Sequence, residues 1–357
     1  MTINSQYPRL NVYLDKLIGN ASTVVSLCRK HGVTPAFVGK CIAEDPVIVP
    51  RVLECGFGYL ADSRLENLVS IETGVPKMLL RIGSPSTACD IVRFSDISLQ
   101  SEKDTIRELQ RAAEDLNLNH KVILMIDLGD LREGIYFAEK KEILSAVRLI
   151  QSCPNLTFFG IGTNLTCYGS IVPDERNLGE LCQIAELIEQ KICIDVPIVS
   201  GGNSSSLALL AKGPVPKRIN NLRIGEAVLL GTDTSVGSVF DFLSNDAFIL
   251  EAELIEVKKK PSFPYGTRSV DAFGKTREYV DTGIMNRGLL NIGRQDLPID
   301  DLIPVDSGIR IIGGSSDHLI VDLGNSKLRV GNVIAFKLKY GALLGAYTSR
   351  YVKKVYH

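Results

Sequence analysis

Net charge is almost absent from this 357-residue sequence, where 40 lysines and arginines against 41 acidic residues leave −1 at neutral pH. Both signs are spread along the chain, so there is no field to draw nucleic acid or anionic lipid, and a small-molecule partner is favoured. Histidine is scarce, with four copies, and the eight cysteines (28, 41, 55, 89, 153, 167, 182 and 193) form no C-x-x-C pair. No zinc-ligand spacing emerges, so no metal is expected, and the thiols read as reduced and mostly packed. No window reaches the apolar length needed to span a bilayer, and the first ten residues lack a basic region followed by an apolar stretch. A soluble, cytoplasmic protein is expected. Internal repeats and low-complexity tracts are also missing.

What is present is enough apolar sequence, 45 % of all residues, to bury a full core in one barrel plus a smaller second domain. From residue 14 to about 231, helical patterns alternate with short apolar runs, the rhythm of βα units on a parallel sheet. The strand candidates are 36–38, 59–61, 78–80, 91–92, 122–126, 156–161, 197–199 and 227–230. Helix candidates at 101–116, 140–151 and 175–191 show apolar residues at three- and four-residue spacing, with Ser101 and Asp174 as candidate caps. Eight strands suit a closed (β/α)8 barrel, although the same alternation permits an open doubly wound sheet. After Gly237 the texture changes to short apolar stretches at 247–257, 308–312, 319–323 and 333–338, broken by Gly, Pro and Asp. The expected organisation is an α/β chain: a barrel over 1–236 and an all-β domain over 237–357, with residues 8–14 pairing with the latter.

Four features could carry chemistry. P-A-F-V-G-K places Lys40 just past the first strand, at the end of a barrel where reactive groups sit, although a lone lysine there is usually a surface charge. S-G-G-N-S-S-S at 200–206 lies between an apolar run and a helical pattern. Gly201 and Gly202 permit a tight turn, and Ser204 with the amides at the helix start would cradle a phosphate; an ordinary polar turn would look the same. N-L-R-I-G-E brings Arg223 and Gly225 to the eighth strand, beside the first in a closed barrel, and phosphate sites in such barrels use the last two strand loops. Arg132, shortly after the fifth strand, offers a planar fork for a carboxylate, with a rim ion pair to Glu133 or Asp130 as the plain alternative.

Taken in order, Lys40, A-D-S-R-L-E-N-L at 61–68, S-D-I-S-L-Q-S-E at 95–102, D-L-G-D-L-R-E-G at 127–134, G-T-N-L-T-C-Y-G at 162–169, S-G-G-N-S-S-S, L-R-I-G-E, G-R-Q-D at 293–296 and G-G-S-S-D-H at 313–318 form a pattern. The pattern resembles the alanine-racemase type of pyridoxal 5′-phosphate enzyme, and more closely its ornithine-racemase-like branch of basic amino-acid racemases, over nearly the whole chain. The resemblance implies that Lys40 holds the cofactor as a Schiff base and acts as a base on one face of the substrate. It further implies cofactor contacts from Asn164, Asn203, Ser204 and the backbone of Gly225 and Glu226, with Arg223 facing the pyridine nitrogen. Arg132 would lie near the substrate carboxylate. A homodimer is implied, the β domain of one subunit covering the other's barrel mouth.

The sequence also departs from that family's pattern. The opposite-face tyrosine of alanine racemases is replaced here by Phe273 before Gly274, and phenylalanine cannot move a proton. Asp271, Tyr265, Cys167, Asp317 and His318 are the candidates for the missing acid-base group. K-C-I-A-E-D after Lys40 removes a phosphate-holding tyrosine and brings in Glu44 and Asp45, and Asp130 stands where methionine is usual. Glu44 and Asp130, with Ser316 and Asp317, are therefore candidates to meet a cationic substrate side chain, pointing to ornithine, lysine or arginine. Two other readings stay open: a decarboxylase of a basic amino acid, disfavoured because those enzymes carry a glutamate where Arg223 stands, and a non-catalytic cofactor carrier, disfavoured by the extra β domain.

Overall fold

The structure is a computed structural model that describes residues 6–213, 215–270, 273–274, 276 and 278–357. It divides into two compact units, Lys16–Ser244 and Met1–Asp15 together with Asn245–His357.

The first unit is a closed barrel of parallel strands. In chain order they are Thr34–Val38, Tyr59–Asp62, Lys77–Leu79, Ile97–Gln100, His120–Asp127, Leu156–Gly162, Ile198–Ser200 and Asn221–Ile224. Each pairs with its neighbour, and Asn221–Ile224 closes onto Thr34–Val38 with Arg223 opposite Ala36. Buried on both faces, such strands read as continuous apolar runs. Alternate residues fill the interior: Ala36 and Val38, Ile97 and Leu99, and Ile123 and Met125 join Ala61, Met78 and Ile198 in one cluster. Outside lie amphipathic helices. Glu175–Ile192 buries Leu178, Leu181, Ile184, Ala185 and Ile188, a stripe at helical spacing. Asp174 caps this helix by accepting a hydrogen bond from the Asn177 amide. Ser101 does not cap the helix Lys103–Asp115, whose N-cap position is Glu102.

Two expected strands are helices. Residues 91–92 lie in Ala88–Phe94, where Ala88, Ile91 and Val92 form a buried face, and the strand follows at Ile97–Gln100. Residues 227–230 lie in Glu226–Leu230, and the strand precedes them at Asn221–Ile224. A short apolar run buried all round looks alike in both states. The true eighth strand is hidden by its polar residues, Asn221 and Arg223, which are buried.

The second unit is built on an antiparallel sheet in the order Leu302–Pro304, Val333–Leu338, Phe248–Pro261, Ile284–Leu290, Leu319–Asp322 and Arg310–Gly314. Phe248, Leu250, Ala252 and Leu254 alternate inward along the longest strand, and a register shift near Leu254 bends it. The strand Arg9–Val12 runs antiparallel to Phe248–Pro261 and parallel to the last strand, Lys353–Tyr356. One helix, Tyr340–Thr348, interrupts the β texture and buries Ala342, Leu343, Ala346 and Tyr347. Among the described residues no helix is long and apolar enough to cross a membrane, and no group of three or more His, Cys, Asp or Glu is placed to hold a metal.

Candidate active site

The carboxyl ends of the barrel strands gather the polar residues. Lys40 follows Thr34–Val38 and opens the short turn Lys40–Ile42. Barrel closure brings Gly225 against the same strand end: a Cβ there would lie 2.7 Å from the Val38 carbonyl oxygen, so only glycine permits the approach. Next in sequence, Glu226 is pushed up to about 7 by burial, with the Lys40 ammonium opposing the rise.

A cradle of donors stands beside this corner. Ile198–Ser200 leads through Gly201 and Gly202, the latter at φ +106°, into the helix Ser205–Lys212. Ser204, buried at the start of that helix, places its Oγ 3.3 Å from the amide nitrogens of both Gly225 and Ala227. Ser205 Oγ is buried without a hydrogen-bond partner among the described residues. Converging amides, a hydroxyl and an unsatisfied buried oxygen suit a phosphate, which brings acceptors and charge together.

Arg223 crosses the barrel end from the eighth strand. Its Nη1 donates to Ser200 Oγ at 2.5 Å and its Nη2 to the Thr163 carbonyl at 2.5 Å. Ser200 Oγ in turn donates to Asn221 Oδ1 at 2.5 Å, and Asn221 Nδ2 donates to the Thr34 carbonyl at 2.9 Å. Burial lowers Arg223 to about 10; Glu133 opposes the shift and Arg132 adds to it. The guanidinium stays cationic at neutral pH, held in place by fixed acceptors. Arg132 is half-exposed and makes a two-pronged pair with Glu133, Nε to Oε2 and Nη2 to Oε1 at 2.6 Å. Asn164 Nδ2 donates to Glu133 Oε1 at 3.2 Å. Asn203 Nδ2 lies within reach of Asn164 Oδ1 (2.9 Å), the Leu165 carbonyl (2.8 Å) and Cys167 Sγ (3.4 Å). One network therefore joins Arg132, Glu133, Asn164, Asn203 and Cys167.

A family model described as "Alanine racemase, N-terminal domain" matches residues 12–233, well over half the chain. This chain belongs to that family. It is 44 % identical over 351 residues to an ornithine racemase of Acetoanaerobium sticklandii, covering 98 % of this chain and 99 % of the relative. A lysine racemase of Thermotoga maritima is 39 % identical over 354 residues, covering 98 % of each. Among solved structures, the alanine racemase of Streptomyces lavendulae superposes with a TM-score of 0.76 at 17 % identity, over 99 % of this chain and 98 % of that one, a likeness of fold.

Within the alanine-racemase family frame, the structure redirects two sequence expectations. Asp130 turns its carboxylate to the loop that follows Leu156–Gly162. It is buried, and its carboxylate accepts from the amides of Cys167, Tyr168 and Ile171. Glu44 is likewise closed off, 2 % exposed, with its carboxyl turned to Asp62. Sequence spacing places both carboxylates near strand ends without showing which way each faces.

Of the acid-base candidates, Cys167 belongs to the barrel unit and to the network above. Tyr265, Asp317 and His318 belong to the other unit, and Asp271 lies outside the described residues. Tyr265 is fully exposed. Asp317 accepts from Ser315 Oγ (3.0 Å) and Ser316 Oγ (3.2 Å) and pairs with His318 Nδ1 at 3.2 Å; these partners, the Ser315 hydroxyl first, hold it below the usual carboxylate range. The segments 293–296 and 313–318 clasp each other, Arg294 and Gln295 donating amides to the carbonyls of Ser315 and Ser316. Arg294 also lies over the Phe273 ring at 5.5 Å. Sequence reasoning treated Glu133 only as a rim partner and passed over Thr163, Ser200 and Asn221, whose partners are 21 to 187 residues away.

Proposed function

We propose that this chain is a pyridoxal 5′-phosphate-dependent amino-acid racemase that interconverts the L and D forms of a basic amino acid, ornithine or lysine. The reading rests on one observation above all: Lys40, the Ser204 cradle and Arg223 lie around one barrel end in a chain collinear with an ornithine racemase over nearly its full length. The residues fit the cofactor. Ser204 Oγ, Ser205 Oγ and the Gly225 and Ala227 amides would take the phosphate, and the missing Cβ at Gly225 lets this segment close on the Val38 carbonyl beside Lys40.

Bound there, pyridoxal 5′-phosphate supplies the electron sink that acidifies the substrate's Cα–H bond. The chain's own residues do the rest. Lys40 would hold the cofactor through its Nζ and, when released, exchange a proton with the substrate Cα on one face. Arg223 would face the pyridine nitrogen and keep its own proton there, since even lowered to about 10 it stays charged at neutral pH. An arginine in that place would limit electron withdrawal into the ring, favouring brief proton exchange over loss of carbon dioxide. Arg132 has Nε and Nη2 on Glu133, leaving Nη1 to meet the substrate carboxylate.

Racemisation needs a second acid-base group on the opposite face. Cys167 offers one from the barrel unit; Tyr265, Asp317 and His318, and the sequence candidate Asp271, would serve if the chain forms a homodimer in which the partner's β domain covers the barrel mouth. Ser316 and Asp317 would then also meet the substrate side chain.

Lys40→Ala tests the reading: the variant should lose the visible chromophore of the protein-bound cofactor together with activity. A purified variant that keeps borohydride-sensitive visible absorbance would overturn it.

A further inference from the structure

The turn that carries Lys40 contains a contradiction in charge. Glu44 is 2 % exposed and neither of its carboxyl oxygens receives a hydrogen bond from any described donor. The group beside it is another buried carboxyl, Asp62, at the end of the second barrel strand, to which the turn is joined by the Gly39 amide on the Ala61 carbonyl at 3.1 Å. Asp62 is already supplied with donors, the Arg64 amide at 2.7 Å and Asn67 Nδ2 at 3.0 Å. Two carboxylates so close and so dry cannot both be ionised.

The backbone of the turn is also forced. Ala43 and Glu44 are consecutive non-glycine residues in the left-handed region, at φ +48° and +51°. Each is strained for an L-residue and persists only where its surroundings hold it. Gly39, which precedes the lysine, has no room for a side chain, since a Cβ would lie 2.5 Å from Glu44 Oε1. The glutamate therefore packs directly under the residue before Lys40.

We propose that Glu44 is a positioning residue for Lys40: its carboxyl keeps its proton and donates it to Asp62, pinning the 39–44 turn to the second barrel strand. The charge balance agrees. Burial first, and then the hydrogen bond and charge of Asp62, hold Glu44 far above the usual carboxylate range, against the pull of Lys77. Burial raises Asp62 above the usual carboxylate range as well, while the same bond, with those from Asn67 and Arg64, favours its ionised form. Asp62 and Lys77 are the charged groups that face Glu44 from the neighbouring strands, and Lys77 Nζ is itself donated to the Leu68 carbonyl at 2.5 Å. A neutral Glu44 cannot pair with a cationic substrate, which agrees with its closure.

The proposal rests on the assignment of Lys40 to the cofactor, but its first test does not involve the cofactor. Urea unfolding of the full-length, cofactor-free protein is measured from pH 6 to 9 for wild type and Glu44→Gln. The folded chain keeps a proton that an unfolded glutamate, with pKa about 4.3, has lost. Stability from this group is full at low pH and falls as pH rises toward the folded value. The wild-type unfolding constant should therefore climb about tenfold more per pH unit than that of Glu44→Gln. Parallel pH dependences would overturn the proposal.

The second test is rescue. The glutamine amide can still donate to Asp62, so Glu44→Gln should bind pyridoxal 5′-phosphate within about threefold of wild type, while Glu44→Ala should bind at least about tenfold more weakly. Equal binding by Glu44→Ala and wild type would also overturn it. If Glu44→Ala does not fold, the wild-type and glutamine pH slopes decide alone. A failure of the Lys40 assignment would show instead as a chromophore surviving Lys40→Ala.

Discussion

Replacing Asp130 with alanine should release the loop that carries Cys167 without unfolding the barrel. The carboxylate, buried at 1 % exposure, accepts the amides of Cys167 at 3.2 Å, Tyr168 at 3.0 Å and Ile171 at 3.2 Å. Hydrogen bonds to a charged group contribute about 1.5–3 kcal/mol net each, and these are at the long end of the range, so about 1 kcal/mol apiece is reasonable. The total held by this side chain is then about 3 kcal/mol. Against it stand two left-handed residues in the same loop, Thr166 at φ +63° and Ser170 at φ +57°, which favour opening once the anchor is gone. The Asp130 carbonyl still accepts the Gly169 amide at 2.9 Å, so the loop stays tethered at one point. Local opening should rise by a factor of about 100, read as faster amide hydrogen exchange in a peptide covering 163–174. Asp130→Asn keeps an acceptor oxygen and should fall between the two. Because Asn203 reaches both Leu165 and Cys167, substrate affinity should weaken in the same order. Unchanged exchange in Asp130→Ala would refute the assignment of Asp130 as the loop's anchor.

Two further outcomes follow from the same geometry. Ser204→Ala removes the hydroxyl between the Gly225 and Ala227 amides, and cofactor affinity should fall about tenfold with little change in the melting midpoint of cofactor-free protein, measured by absorbance titration and thermal unfolding. His120 is buried, with Nε2 2.8 Å from Ser98 Oγ, and burial lowers it to about 4 from its ordinary 6.5. It is neutral in the fold, so its contribution is present above pH 6.5 and is lost as pH falls toward 4, roughly 3 kcal/mol in all. Denaturant unfolding across pH 4 to 7 should be flatter for His120→Asn, and identical slopes would show that the histidine does not titrate this way.

The barrel was legible in sequence wherever a strand is apolar on both faces, as in Leu156–Gly162 and His120–Asp127. It was illegible where a strand end turns polar groups inward. Asn221–Ile224 gives half its residues to the Arg223–Ser200–Asn221 chain, so the apolar helix after it took its place in the reading. The helix Tyr340–Thr348 was missed for a related reason: it is short, glycine-containing and apolar on most sides. Individual groups at the site stand out by their position after a strand, Lys40 and Ser204 among them. The links between groups do not. Asp130 acts on amides 37 to 41 residues away, and Glu44 acts on a carboxyl one strand over, contacts that only the closed barrel creates.

The most direct measurement is chiral chromatography of L-ornithine and L-lysine incubated in deuterium oxide with the full-length protein and pyridoxal 5′-phosphate. Approach to equal amounts of the two isomers, with deuterium at Cα and no carbon dioxide released, is the expected result. Carbon dioxide without the D-isomer, or a fully loaded protein that leaves both amino acids unchanged, would contradict it.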